Sequence, residues 1–146
     1  MVLRDRLRGS QIGTKRQTLI RQGQFVISKI DGKSGAMAVV PPELDNAVVT
    51  PDFPVFNIRS DMVLPDYLEL VLCHPAILQR ITATTSGSTG RRRLSVPRFL
   101  SLRIALPSLD EQKRLMASIR RLREEESSIQ RRMEKSVTSF YDSIIC

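Results

Sequence analysis

The sequence predicts an α/β fold of the α+β kind, with a small mixed sheet in an N-terminal domain and one long C-terminal coiled-coil helix. Short β-branched runs separated by glycine and proline, between residues 25 and 58, predict the sheet. A stretch from residue 110 to about residue 143 contains no glycine or proline and predicts the helix. With 146 residues, of which 41% are hydrophobic, the chain has the length for one core and one appended element. We therefore divide it into a domain at 1–109 and a helix at 110–146.

The first pair of strands is predicted as a hairpin. Residues 25–30 are rich in β-branched side chains and lie between a glycine and a turn, and residues 36–40 form a second apolar run. The five residues between them, 31–35, include two glycines, so the two runs can pair across a short connection. Lys29 and Lys33 would then lie near the tip of the hairpin.

Two more short strands and two helices follow. Residues 47–50 and 54–58 are apolar runs separated by a proline-containing turn, and each run predicts a strand. A helix is predicted after Leu64, because proline and aspartate come next and apolar residues then recur at helical spacing. A His-Pro pair at 74–75 interrupts this helix, and residues 76–82 predict a second helical piece.

Three further elements complete the prediction. Residues 18–23 predict a helical turn that ends at a glycine. Residues 97–106 are a proline-led apolar stretch, of which 102–106 predict a buried strand. The long helix begins near Ser108 or Asp110, since either side chain can accept a hydrogen bond at a helix N-terminus.

The long helix carries apolar residues in a heptad pattern over about four repeats, with one glutamate on the apolar seam. At ~1.5 Å per residue it reaches ~50 Å, which exceeds the width of a small domain. We predict that it pairs with a second copy, most simply antiparallel, in a homodimer. The alternative is an ordinary amphipathic helix folded back on the domain. The candidate dimerisation residues are Leu115, Ile119, Leu122, Glu126, Ile129, Met133 and Phe140.

The net charge of +8 is unevenly distributed along the chain. Residues 1–33 carry eight basic and two acidic residues, and residues 80–109 carry six basic residues and no acid. Residues 34–79, in contrast, carry one basic and six acidic residues. Two basic segments of this kind favour a polyanion as partner, with nucleic acid as the leading class. The alternative is a basic protein whose lysines and arginines serve solubility.

A basic loop is the strongest candidate for contact with nucleic acid. Residues 85–90 are small and hydroxyl-bearing with two glycines, so backbone N–H groups can approach an oxyanion, and three arginines follow at 91–93. Such side chains would neutralise phosphates or read guanine edges. The alternative is a packing role, in which each arginine head pairs with an acid of residues 34–79. The candidate DNA-binding residues are Lys15, Arg16, Lys29, Lys33, Ser86, Ser88, Thr89, Arg91, Arg92 and Arg93.

The sequence offers no catalytic constellation. Residues 85–90 resemble the phosphate-gripping loop of adenylate-forming enzymes, but three arginines replace the expected continuation and such enzymes are several times longer. His74 is the single histidine, so no nucleophile and base pair can be assembled around it. Cys73 and Cys146 lack metal-ligand spacing. We expect a protein that is not an enzyme, with no catalytic residue, no metal and no cofactor.

The chain also lacks the marks of a membrane or secreted protein. No apolar run approaches the ~20 residues of a membrane span, and the charged first residues do not resemble a signal peptide. Two cysteines far apart in the sequence do not suggest a disulfide framework. These features predict a soluble protein in the reducing cytoplasm.

Five blocks of the sequence resemble the DNA-specificity (S) subunit of type I restriction-modification enzymes. The blocks are residues 23–30, 40–49, 52–56, 86–94 and 106–112. They occur in the right order, which makes the resemblance far more specific than any one block alone. It covers roughly residues 23–135.

The resemblance implies an α/β target-recognition domain followed by a spacer helix. It implies a subunit that performs no chemistry, reads double-stranded DNA, and carries methyltransferase (M) subunits and possibly a restriction (R) subunit. Family members usually hold two recognition domains and two helices, so a second copy or another subunit would supply the other half. The chain would be a half-length form or a truncated product. A different class of function is an assembly module that pairs through its helix without useful DNA binding.

Overall fold

The computed structural model of the chain describes residues 16–87 and 93–145, apart from the side chains at positions 142, 143 and 145. The chain divides into two compact units, Met1–Leu106 and Pro107–Cys146. Within the described residues, the first unit holds short strands and short helices, and the second holds one long helix. The predicted fold class, a mixed α/β unit followed by a long C-terminal helix, is confirmed.

A three-stranded antiparallel sheet lies at the centre of the first unit, in the order β3-β2-β5. The described residues form the strands β1 (Thr18–Leu19), β2 (Phe25–Ile27), β3 (Met37–Val39), β4 (Val48–Val49), β5 (Val55–Phe56), β6 (Thr85–Ser86) and β7 (Arg93–Leu94). The predicted hairpin is confirmed as β2 and β3, with Val26 opposite Ala38. On the other edge of β2, Val26 lies opposite Val55 of β5.

Strand β2 is buried on both faces because its side chains alternate between two apolar clusters. Phe25 and Ile27 belong to one cluster, together with residues of the helices. Val26 belongs to the other, with Ile20 and Val40. The central strand therefore ties the two halves of the core together.

The strand pairings differ from the sequence prediction in two respects. Between the described residues, every pairing is antiparallel and the strands form three small sheets, where the sequence predicted one mixed sheet. Residues 18–23 do not form the predicted helical turn. Their backbone pairs instead with the segment around β4: Ile20 N–H donates to Ala47 O (2.9 Å), and Asn46 N–H donates to Ile20 O (3.0 Å). Long-range hydrogen bonds thus override the local helical preference.

Helices α1 (Pro65–Leu72) and α2 (Pro75–Ala83) confirm the two helices predicted from the middle of the sequence. Each begins with proline, whose fixed φ angle and missing N–H suit the first turn. The imidazole Nδ1 of His74 accepts a hydrogen bond from Ala76 N–H (3.3 Å) and so caps α2. The single histidine therefore has a structural role at a helix boundary.

The apolar stretch before the long helix forms a helix, α3 (Val96–Leu100), and the strand predicted at 102–106 is wrong. Pro97 suits the first turn of this short helix and lets Phe99 enter the core. Leu102 is half-buried against the same core, and no strand at 16–87 or 93–145 pairs with it. The carbonyl of Ala105 accepts a hydrogen bond from the Tyr67 hydroxyl (3.1 Å), so a side chain holds this segment in place of a strand.

The second unit is the helix α4 (Leu109–Ile145), which confirms the long helix of the prediction. Ser108 caps it: its Oγ accepts from Glu111 N–H (3.3 Å), and Glu111 Oε2 accepts from Ser108 N–H (2.9 Å) and Oγ–H (2.6 Å). This reciprocal arrangement is a capping box, and it selects Ser108 over Asp110 as the capping residue. The hydrogen bonds from Ser108 lower the pKa of Glu111. Among the described helices, none is long and apolar enough to cross a membrane.

Candidate nucleic-acid interface and helix seam

The structure locates half of the residues predicted to bind DNA. Those that it describes are Arg16, Lys29, Lys33, Ser86 and Arg93. Those that lie outside the described residues are Lys15, Ser88, Thr89, Arg91 and Arg92. The geometry of the candidate interface is therefore described from Arg16, Lys29, Lys33, Ser86 and Arg93.

Lys29 lies where three separate segments of the chain meet. Its backbone N–H donates to the carbonyl of Asp52 (2.8 Å), and its own carbonyl accepts from Leu94 N–H (2.8 Å). Leu94 is buried and belongs to the core cluster around Phe25, which anchors the third segment. The residues just after β2, just before β5 and in β7 are thus held side by side.

Ser86 and Arg93 join the same place through the β6 and β7 ladder, in which they lie directly opposite each other. Arg93 Nη1 donates to Asp52 Oδ1 at 2.6 Å. The two side chains are 57% and 34% exposed, so the ion pair lies at the surface. We name the group formed by Lys29, Asp52, Ser86 and Arg93 the Lys29 junction.

Lys33 lies close to the junction in sequence and is exposed on a 3-10 turn, Gly32–Ser34. The buried Ser28 fixes the start of this turn, since its Oγ accepts from Ile30 N–H (3.2 Å) and Asp31 N–H (3.0 Å). Gly35 ends it with φ 85°, a left-handed conformation that glycine adopts without strain. The turn therefore presents Lys33 from an ordered backbone.

Arg16 is exposed and lies two residues before β1. Strand β1 pairs with β4, in a sheet separate from the β6 and β7 pair that carries Ser86 and Arg93. No hydrogen bond or ion pair between described residues joins Arg16 to the Lys29 junction. The prediction for Arg16 stays a prediction.

Asp52 is the junction residue that the sequence reasoning missed as part of the site. It lies in the acidic segment 34–79, in a turn between two predicted strands and at the start of the block 52–56, and none of these features predicts a role in DNA binding. Its contact with Arg93 is the pairing with an acid of that segment that the packing alternative expects. The signal that could have found Asp52 is its position in the turn before β5. Because β5 pairs antiparallel with β2, the residues before β5 lie beside the residues after β2, and Lys29 is one of these.

The seam of α4 is the second candidate site. Ile119 is half-buried, and the other members of the seam are exposed. The exposed fractions of the large apolar ones range from 44% to 62%, the values for Leu115 and Phe140. From residue 120 to residue 141, every side chain of the helix is exposed. Five large apolar seam residues thus face solvent along a single helix, an arrangement typical of a surface that binds a partner.

Charged residues occupy the faces beside the seam. Arg121 Nε lies 3.9 Å from Glu125 Oε1, and Gln130 Nε2 donates to Glu134 Oε1 (3.0 Å). Glu126 is exposed on the seam itself. These two contacts lie on the flanks of the helix, beside the apolar seam. On the seam itself, the ring of Phe140 packs edge-on against Tyr141, with 6.2 Å between the ring centroids.

Comparison with known proteins shows the fold. No family model matches the sequence, and no curated protein matches it. The HsdS subunit from Thermoanaerobacter tengcongensis matches with a TM-score of 0.70 and 23% identity, over 86% of this chain and 32% of that chain. This chain has the fold of HsdS. A second match has a TM-score of 0.66 and 24% identity, over 84% of this chain and 32% of that one.

The second match comes from a structure that concerns complex assembly and conformational transition of the type I R-M system. Both matches agree with the resemblance drawn from the five sequence blocks, which is confirmed at the level of the HsdS fold. The chain spans about a third of the length of these solved chains.

Proposed function

We propose that the chain is a non-catalytic DNA sequence-specificity subunit of a type I restriction-modification enzyme. The observation that carries this proposal is the HsdS fold, which matches over 86% of the chain and therefore extends beyond the first unit into the second. The subunit binds double-stranded DNA through its first unit. It positions methyltransferase subunits, and with them a restriction subunit, on the assembled complex.

DNA binding is assigned to the Lys29 junction, to Lys33 and to the basic residues predicted alongside them. Lys29 and Lys33 supply positive charge from ordered backbone, which suits contacts with phosphates. The hydroxyl of Ser86, opposite Arg93 in the ladder, is a hydrogen-bond donor for the same phosphate backbone. Each neutralised phosphate releases counterions, so affinity should fall as salt rises.

Assembly is assigned to the seam of α4, with a second copy of the chain as the partner. The helices are antiparallel in the register in which two residues, one from each copy, lie at the same height when their numbers sum to 255. This register places Leu115 opposite Phe140 and Leu122 opposite Met133 of the partner copy, so apolar side chains cover each other. The same register places Glu126 opposite Ile129.

Charge favours this register over the neighbouring ones. It brings Glu125 near Arg132 of the partner copy, twice in a symmetric pair. A shift of one heptad in one direction would oppose Glu125 to Glu125, and a shift in the other direction would oppose Arg132 to Arg132. Like charges at these flanking positions are unfavourable, so attraction and repulsion select the same alignment.

The DNA-binding part of the proposal predicts a salt effect for the double variant Lys29→Ala with Lys33→Ala. The plot of log affinity for duplex DNA against log salt should become shallower by about 0.9 for each lost phosphate contact, or about 1.8 per chain. Fluorescence anisotropy with a labelled duplex of random sequence, measured over a series of salt concentrations, checks this.

A matched control removes the same charge from the helix, with Lys113→Ala and Lys135→Ala, two exposed residues off the seam. The control should keep the wild-type slope. Equal slopes for all three proteins would exclude the two hairpin lysines as phosphate contacts. Absence of any duplex binding at low salt, also after addition of the methyltransferase subunit, would favour the assembly module without DNA binding.

A further inference from the structure

Backbone hydrogen bonds to Lys29 hold both segments that form the ion pair between Arg93 and Asp52. Asp52 accepts the Lys29 N–H through its carbonyl, and Leu94, next to Arg93, donates its N–H to the Lys29 carbonyl, each at 2.8 Å. The carboxylate and the guanidinium therefore start from anchored positions, 41 residues apart in sequence. Their contact of 2.6 Å restricts the long arginine side chain to one direction at the surface.

The pair is poorly suited to binding phosphate. One carboxylate beside one guanidinium leaves no net charge, so the pair contributes little to counterion release and places a negative group close to any bound phosphate. Lys29 and Lys33, which make no described ion pair with an acid, are better placed for that role. What an oriented arginine offers instead is directional hydrogen bonding.

A guanidinium presents five N–H groups in a planar fork, which matches the O6 and N7 acceptors of guanine in the major groove. The contact with Asp52 uses Nη1, at one corner of the fork. A bidentate contact with a base can use the edge formed by Nε and Nη2. Because the Asp52 carboxylate already holds Nη1, the Arg93 side chain has fewer orientations in the free protein. It therefore loses less conformational entropy when it binds a base.

We propose that Asp52 is a positioning residue that orients Arg93 to read a guanine edge in duplex DNA. The inference rests on the proposed function, because it requires a protein that binds duplex DNA. It assigns base reading to Arg93 and gives Asp52 a role in specificity without contact with the base.

Selection from a pool of duplexes with a randomised 20-base-pair core tests the proposal on the full chain. The wild-type protein should enrich a site that contains a guanine at one position. Arg93→Lys keeps the positive charge but lacks the planar guanidinium with its paired N–H donors. This variant should therefore lose the preference for guanine at that position. Asp52→Asn should lower the same preference by about tenfold, which corresponds to about 1.4 kcal/mol. Its affinity for a duplex of random sequence should stay equal or rise, because a negative charge has been removed.

Asp61→Asn is the matched control. Asp61 forms an exposed ion pair with Arg59 (3.0 Å) in the same unit, so its replacement removes the same charge and breaks a similar contact. This variant should keep the wild-type preference at every position.

Asp52→Glu is a conservative variant that keeps the carboxylate, and it should retain a partial preference for guanine. Circular dichroism of each variant before selection checks that the fold is intact.

Two results would overturn the proposal in different ways. If Asp52→Asn binds all duplexes more tightly while its base preference is unchanged, the carboxylate only offsets charge and has no positioning role. If none of the proteins binds a duplex, with or without the methyltransferase subunit, the proposed function itself fails and the role of Asp52 with it.

Discussion

Replacing Leu122 and Ile129 with aspartate is expected to convert a dimer of the chain into a monomer. Both side chains are more than half exposed in the single chain, and the proposed pairing buries them in the centre of the seam. Loss of four buried apolar side chains per dimer costs about 6 kcal/mol or more, which corresponds to about a 10⁴-fold rise in the dissociation constant. Sedimentation equilibrium gives the mass of each protein directly.

The matched control places two aspartates on the same helix but off the seam, with Ser128→Asp and Thr138→Asp. Both positions are exposed, and neither lies at the predicted interface. The control should keep the dimer mass, while the seam variant should keep a folded first unit, because the two buried clusters consist of residues of that unit. An unchanged mass for the seam variant would contradict pairing through these residues.

A second arm of the same experiment tests the register. Glu125→Arg should weaken the dimer, because it places two arginines near each other at both ends of the symmetric contact. Combination with Arg132→Glu should restore the wild-type dissociation constant, since the charges are then exchanged. A double variant as weak as Glu125→Arg alone would mean that the helices pair in another register.

Phe99→Ala is expected to give the largest loss of stability in the first unit. Phe99 is 8% exposed, and its ring lies 6.4 Å from that of Phe25 and 6.0 Å from that of Phe56, measured between centroids. Removal of a buried phenylalanine ring leaves a cavity and costs about 3–5 kcal/mol, a large part of the ~5–15 kcal/mol that stabilises a typical domain. Urea unfolding at fixed protein concentration, followed by near-UV circular dichroism, measures the change.

Leu100→Ala is the control for this prediction. Leu100 follows Phe99 in the same short helix but is 61% exposed, so its truncation should change the unfolding free energy by less than about 1 kcal/mol. Similar effects of the two substitutions would show that α3 does not anchor the core through Phe99. Because Arg93 lies in β7, immediately before α3, the unstable variant should also bind duplex DNA more weakly at elevated temperature.

The parts of the fold that the sequence predicted are those set by local chemistry. The hairpin of β2 and β3 follows from the glycines of its turn, and the two middle helices follow from prolines at their first positions. The extent of α4 follows from a long stretch without glycine or proline, and its capping box from Ser108 and Glu111.

The parts that the sequence did not predict depend on distant partners. Strand β1 exists because β4 lies beside it, some 30 residues further along the chain. Residues 102–106 have the composition of a strand, but none of the strands in the described part of the chain forms a ladder with them. Within the candidate site, the contact between Arg93 and Asp52 joins residues 41 positions apart, and no local pattern marks it.

The stoichiometry of the complex with duplex DNA tests the central claim most directly. Sedimentation velocity of the full chain with a labelled 30-base-pair duplex, at low and at high salt, measures the mass of the complex and its dissociation together. We expect two chains per duplex at low salt, and release of the DNA from an intact dimer as salt rises. A chain that sediments as a monomer, or a dimer that binds no duplex at low salt even with the methyltransferase subunit present, would contradict the proposal.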